Sequence, residues 1–543
     1  MTIFKSHQPP IDIPSSLTAW DWLFDSPYSP LSPSSSASSG PLGGYTNAAT
    51  GARVDYAQVR TLSTHLATAL VKHHGLQPGE TISLFSQNII WYPIAMFGGL
   101  RAGAVISGAS PAYGVEEMAY ALTCAKARFL MTMKDSLHVA VEAAERVGLG
   151  KDRVFLLEGK SQGFKTVQDL VEEGKMEVVE SWKIPPGKRN GDVCGYLSFS
   201  SGTTGLPKAQ ITPVTHHKIM AVLPLFHITG LVHQLHLPVL LNAEVIMLPQ
   251  FTMPEMLKII VDYQLTELLL VPPIIIRLVR DKEVNDYDLS HVTRFSSGAA
   301  PLSEEIIQLL KKKFPGTGFK QGYGMTESCS CITAHPPEKY DYKYAHTGGA
   351  VVANTEVKII KEDGTEAGVG EAGEIPARGP QVVMGYLGNE KATQETFVDG
   401  WLRTGDQGAM NEEGMIHILD RIKEMIKVKG IGVAPAELED LLLGHPQVED
   451  VAVMGIKDDY SGELPKAFVV LKDGVNASEE VGRALMKWVR ERKTRYKWIK
   501  EVEFVNEIPK SASGKILRRM LRDRKAVENG VKVRDAVGEK AML

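Results

Sequence analysis

A repeated change of hydrophobic period is the feature that most restricts what this chain can become. From Tyr56 to His74 the apolar residues Val59, Leu62, Leu66 and Leu70 fall on one helical stripe, which Gly75 and Pro78-Gly79 stop. The strand-like TISLF follows, then a helical stretch near Ile89 to Ala102, then the strand-like run AVISGAS. Helix and strand in alternation predict an α/β fold with a mostly parallel sheet. After Asp420 the pattern changes: helical APAELEDLLLGH, strands VEDVAVMGI and KAFVVL, a helix from Ser478 to Arg492 and strand EVEFV predict a separate compact α+β unit.

Bulk properties remove several function classes. The 543 residues carry a formal net charge of -4, so there is no basic footprint for nucleic acid. Cys124, Cys194, Cys329 and Cys331 are too scattered for a disulfide framework and form no C-x-x-C pair, which suits a reducing, intracellular compartment. The opening MTIFKSHQPPIDIP does not resemble a secretion signal. The most apolar regions, Ala221 to Leu248 and Leu265 to Val279, are broken by Pro, His and Glu where a membrane span needs about 20 mostly apolar residues, so they read as core. The expected location is the cytoplasm; Ala541-Met542-Leu543 is a weak match to a peroxisomal ending and makes that organelle the alternative. The serine-rich Ser29 to Gly44 reads as a mobile surface segment. Gly368, Gly370 and Gly373 spell G-x-G-x-x-G, but a strand follows instead of a helix, so a hairpin turn is expected there and not a dinucleotide site.

The chemistry begins at Ser200-Ser201-Gly202-Thr203-Thr204-Gly205-Leu206-Pro207-Lys208. Hydroxyls, backbone N-H groups freed by glycine and one cation suit phosphate oxygens, although the G-K-[ST] ending of a Walker loop is absent. Together with QGYGMTE at Gln321 to Glu327, WLRTGD at Trp401 to Asp406, DRIKEMIKVKG at Asp420 to Gly430 and PKSASGKILRR at Pro509 to Arg519, this loop resembles the adenylate-forming superfamily, and within it a 4-coumarate CoA ligase-like acyl-CoA synthetase. The resemblance implies a large N-terminal adenylation domain of mostly parallel sheets flanked by helices, residues 1–422, and a small mobile α+β lid, residues 423–543. It also implies a reaction of a carboxylate with MgATP to give acyl-adenylate and pyrophosphate, then transfer to coenzyme A.

Roles follow from the matching positions. Ser200, Ser201, Gly202, Thr203, Thr204, Gly205 and Lys208 would hold the phosphates; Thr326 would touch phosphate and Glu327 would hold Mg2+. Gln321, Gly322, Tyr323, Gly324 and the small Ala299 would border the nucleotide. Asp406 offers two acceptor oxygens to the ribose hydroxyls, with Arg421 donating to the same sugar. Lys515 would bridge carboxylate and α-phosphate, Lys423 would be the hinge on which the lid turns, and Lys429-Gly430 would line the coenzyme A path. His227 in PLFHITG would close the acyl pocket. That pocket, expected around His227 to His233 and Ser296 to Gly324, is an apolar slot for an aromatic or medium-chain acid. No acidic or cysteine partner completes a zinc set around His216, His217, His233 and His236.

One departure from the family pattern stands out. The family has glycine after the loop lysine and a long helix before PLFH; here Ala209 follows, and His227 is only nineteen positions beyond Lys208. AQITPVTHHK contains Pro213 and β-branched neighbours and cannot supply that helix. The shortened segment makes a nucleotide-binding homologue with impaired turnover the alternative to a working ligase, and a stand-alone adenylating enzyme that does not use coenzyme A is a second, separate alternative. A luciferase-like oxygenase shares the same fold.

Overall fold

The computed structural model describes residues 3–33, 41–199, 217–298, 302–510, 515–522 and 531–534. The predicted alternation forms a five-stranded, all-parallel sheet in the order Val154–Glu158, Ala127–Met133, Thr81–Phe85, Val105–Ala109, Tyr196–Leu197. Helix Tyr56–Lys72 begins at a capping box in which Asp55 accepts from the Gln58 N-H and the Gln58 side chain accepts from the Asp55 N-H; it ends where Gly75 takes φ +68°. Its stripe and helix Trp91–Arg101 are buried together in one core with Phe97, Ile82 and Leu84.

A second sheet sets Gly44–Asn47 parallel to Glu244–Met247, which is parallel to Lys218–Ala221. The third positions the site: Glu267–Leu270, Arg294–Ser297 and Gly318–Tyr323 run parallel, and the short strands Thr333–Ala334 and Ala350–Val351 continue it antiparallel. Helices Met253–Asp262, Pro272–Arg280 and Glu304–Lys313 share its core through Leu268, Phe295 and Phe319. A fourth, antiparallel sheet holds Gly373–Arg378, Trp401–Met410 and Ile416–Arg421. Glu356–Val357 pairs with Gly373–Arg378, so Gly368 and Gly370 lie in a strand connection and Gly373 opens the strand expected there.

From Ile426 onward a separate sheet forms around the long hairpin Val448–Asp458 and Gly462–Leu471, with its own core of Val451, Val469, Leu485 and Val502. Buried Lys466 Nζ lies 2.7 Å from both Glu501 Oε1 and Glu503 Oε2, tying strand Glu501–Phe504 to the hairpin. Strand, hairpin and helix Glu479–Arg490 match the α+β unit expected after Asp420.

The serine-rich segment needs a correction at its edges. Ser29 is fully buried, its N-H bonded to the Ser26 carbonyl, and Gly44 opens a strand of the second sheet. A Cβ on Gly43 would stand 2.4 Å from the Ala243 carbonyl oxygen, so small residues here serve close backbone approach. Residues 34–40 lie outside the described set. Among the described residues no helix is long and apolar enough to cross a membrane.

Candidate active site

Strand Gly318–Tyr323 ends in the side chain around which the site is built. Tyr323 donates its hydroxyl proton to Asp406 Oδ2 at 2.8 Å. Asp406 lies in strand Trp401–Met410, is 3% exposed and pairs in register with Arg421 at the end of Ile416–Arg421. Arg421 Nε is 3.5 Å from Asp406 Oδ1. Burial raises the Asp406 pKa, while Arg421, Tyr323 and Lys515 oppose the rise. Lys515 arrives from the C-terminal unit; burial draws its pKa down to about 8, Arg421 adds to the fall, and Glu424 and Asp406 resist it. Residues from two strands, a strand end and the C-terminal unit thus meet as one mixed-charge group, an arrangement suited to a polyanion carrying hydroxyls.

Arg518 anchors the Lys515 segment within the C-terminal unit, and Arg280 and Lys427 tie that unit to the large domain. Arg518, three residues beyond Lys515, donates to Glu424 Oε2 at 2.7 Å and to the Val453 carbonyl at 3.1 Å, and also pairs with Glu439. Arg280 of the large domain donates to the Glu449 carbonyl at 2.9 Å, and Lys427 Nζ is 2.8 Å from Glu362. Lys423 is exposed in the turn that follows Arg421, where the Glu424 and Met425 N-H groups bond back to the Arg421 carbonyl. Lys429 (φ 51°) and Gly430 (φ 80°) form the tip of hairpin Ile426–Val428 and Ile431–Val433. Left-handed values at both tip positions are what a two-residue hairpin requires.

Glu327 stands in the short helical turn Thr326–Ser328, with Thr326 half-buried at its start. It is 5% exposed, and Tyr386 donates to its Oε1 at 2.8 Å. Its Oε2 is buried without a hydrogen-bond partner among the described residues. A buried carboxylate oxygen left open in this way fits a hard cation such as Mg2+, which commonly takes one or two protein carboxylates and completes its shell with phosphate and water. Sequence reasoning did not find Tyr386, because nothing in MGYLGN marks it as a neighbour of Glu327.

Gly324 follows Tyr323 where the chain folds back on itself: a Cβ would stand 1.8 Å from the Ser330 carbonyl oxygen. Gly324→Ala should therefore displace the Thr326–Ser328 turn and cost about 2–4 kcal/mol, measured by denaturant unfolding. A variant as stable as the parent would refute this reading of the close approach.

The remaining expected residues divide. Gln321 donates its amide to the Ala345 and Thr347 carbonyls at 2.6 and 3.3 Å, so its side chain is committed to bracing the strand and is not brought to the Asp406 group. Gly322 pairs with Ala334 in the sheet. His227 precedes the helical run Ile228–Gly230 and Leu231–His236, its ring centroid 4.8 Å from that of Phe226, and burial lowers its pKa. His233, on the same run, shares a 2.7 Å hydrogen bond with Ser330, another contact that the sequence did not announce. Ser200, Ser201, Gly202, Thr203, Thr204, Gly205, Lys208 and Ala299, with most of the shortened segment after Lys208, lie outside the described residues.

Comparison with known proteins gives this geometry a lineage. Residues 43–387 match the sequence model of the AMP-binding enzyme family, and residues 437–515 match the AMP-binding enzyme C-terminal domain. The chain belongs to the AMP-binding enzyme family. Within this family it is similar to 4-coumarate–CoA ligase 2 of Oryza sativa subsp. japonica, 34% identical over 96% of this chain and 95% of that protein. It is also similar to 4-coumarate-CoA ligase 1 of Narcissus pseudonarcissus, 33% identical over 97% of each. Among solved structures it resembles the o-succinylbenzoate CoA synthetase of Bacillus subtilis in complex with its acyl-adenylate intermediate, 25% identical with TM-score 0.76 over 94% of this chain and 99% of that one. This AMP-binding enzyme is thus a 4-coumarate–CoA ligase-like member of the adenylate-forming superfamily, with its mixed α/β fold and smaller C-terminal unit.

Proposed function

We propose that this AMP-binding enzyme joins an aromatic or medium-chain carboxylic acid to coenzyme A through an acyl-adenylate. In the first step a carboxylate oxygen attacks the α-phosphorus of ATP and the bond to the β-phosphate oxygen breaks, releasing pyrophosphate. In the second the coenzyme A sulfur, having lost its proton, attacks the acyl carbonyl and AMP leaves. The observation that carries this reading is the meeting of lid residue Lys515 with Asp406, Arg421 and Tyr323.

The first step brings two anions together, so donors placed in advance of the reaction lower its barrier. Asp406 accepts from the ribose hydroxyls and Arg421 donates to the same sugar. Lys515 donates to the carboxylate and α-phosphate oxygens, while Lys208 and the residues from Ser200 to Gly205 hold the phosphates. Tyr323 and the backbone from Gly322 to Gly324 border the nucleotide with Ala299, and Thr326 touches the α-phosphate. Glu327 would hold Mg2+, which when bound offsets phosphate charge. Neutral His227 closes the mouth of the acyl pocket. Lys515 has no part in the thioester step, so residues 423–543 turn about Lys423 against residues 1–422 and present Lys429-Gly430 to coenzyme A. The four cysteines form no disulfide among the described residues, which suits a cytoplasmic setting.

Incubation of the full-length protein with ATP, Mg2+, coenzyme A and a panel of acids should yield AMP, pyrophosphate and acyl-CoA in equal amounts. Acyl-adenylate without thioester would instead support an adenylating enzyme that bypasses coenzyme A, and ATP binding without pyrophosphate release would support the impaired homologue suggested by the short link after Lys208. Because Tyr386 orients Glu327, Tyr386→Phe should raise the Mg2+ concentration for half-maximal pyrophosphate release about 10-fold, and Glu327→Gln by more. An unchanged Mg2+ titration in both variants would remove Glu327 from the metal site.

A further inference from the structure

The strand that delivers Tyr323 also carries a buried cation for which the adenylation chemistry has no use. Strand alternation puts Lys320 on the opposite face from Gln321 and Tyr323, level with Ser296 in strand Arg294–Ser297. Lys320 is 7% exposed, and its ammonium lies 5.4 Å from the centre of the Tyr340 ring. The charges that act on it among the described residues are Arg294, a like charge, and the Cys331 thiol; no carboxylate is one of them. A cation this deep, with no acidic partner among the described residues, is costly to the fold.

Two nitrogens beside Lys320 lack acceptors among the described residues, although Arg294 also bonds with Tyr340. His217 and His233 both feel the Lys320 charge. The Nε of Arg294 and the Nε2 of His217 are buried without hydrogen-bond partners among the described residues, although another nitrogen of Arg294 pairs with Glu267. His233 connects this cluster to the reaction side through Ser330, three residues beyond Glu327, and lies six residues along the helical run from His227. Gly322, two residues along on the same face of the strand, stands about 7 Å from Lys320, a distance that a short acid lying along that face can span. Burial, reinforced by Arg294, draws the Lys320 pKa down to about 7, and a carboxylate bound beside it would favour the charged form.

We propose that Lys320, with Arg294 and His217, receives a second carboxylate at the far end of the acid, so that the substrate class is a dicarboxylic acid activated at one end and held at the other. This rests on the adenylation reading and narrows it, because a wholly apolar slot would leave Arg294 Nε and His217 Nε2 without acceptors among the described residues. Calorimetric binding to the full-length protein, without nucleotide, tests it with two matched pairs: heptanoate against heptanedioate, and cinnamate against 4-carboxycinnamate. The parent should bind at least one diacid tenfold or more tightly than its partner; Lys320→Met should abolish that preference, and Lys320→Arg should restore part of it. Lys320→Met removes a desolvated charge and is expected to melt no lower than the parent; should it fail to fold, the preference of the parent and of Lys320→Arg decides. Equal affinity within both pairs, binding of neither diacid, or a preference that survives Lys320→Met would overturn the proposal. Pyrophosphate release with the same acids separates the two readings: diacid selectivity without release would sink the adenylation chemistry and leave this receptor standing, whereas release without selectivity would do the reverse.

Discussion

Lys515→Ala should slow pyrophosphate release by about 100–1000-fold, the loss typical of removing one donor aimed at charge that develops in the transition state. Thioester formation from a supplied acyl-adenylate should be nearly unchanged, because the proposed role of the lysine is confined to the joining of carboxylate and α-phosphate. The same residue sets a pH limit. Burial and Arg421 lower its pKa to about 8. The working ammonium is therefore present below that value and is lost as pH rises through it, so adenylation should fall on the alkaline side of pH 8. In Lys515→Ala that limb should disappear from the residual rate. Equal losses in both half-reactions would show that the substitution disturbs the lid as a whole and does not remove a donor from the first step.

The second large effect is expected at Asp406. Its carboxylate accepts the Tyr323 hydroxyl and faces Arg421 from a nearly sealed position. Asp406→Asn replaces one acceptor oxygen with a donor, and hydrogen bonds to charged groups contribute about 1.5–3 kcal/mol. ATP affinity should then fall about 10–100-fold in a calorimetric titration. Thermal stability should not follow. Because burial raises the folded-state pKa of Asp406, the ionised form is disfavoured by folding above the unfolded-state pKa, so the neutral amide should melt at the same temperature or higher. Weaker ATP binding with intact stability would mark a residue retained for the ligand; a large drop in melting temperature with unchanged affinity would mark a structural one.

Parts of this account were open to reading in the sequence for definite physical reasons. The stripe from Val59 to Leu70 was legible because helix packing imposes its period directly, and the strands TISLF and AVISGAS because turn residues bound them. The convergence of Tyr323, Asp406, Arg421 and Lys515 was not legible from any local pattern. It depends on the pairing of Asp406 with Arg421 and on where the C-terminal unit rests, and only the shared motifs pointed to it. Motif matching also assigned Gln321 to the nucleotide, although its amide is spent on the Ala345 and Thr347 carbonyls. Lys320 escaped notice for a related reason. In GFKQGY a lysine reads as a solvated strand residue, and only the layers packed above the sheet make it a buried charge.

The most direct test of the central claim is acid-dependent exchange of labelled pyrophosphate into ATP without coenzyme A, since this isolates adenylate formation and its reversal. With the acid that fits the pocket, label should enter ATP, and the rate should collapse in Lys515→Ala. Tight ATP binding with no exchange, for every acid tried including the diacids above, would contradict the account.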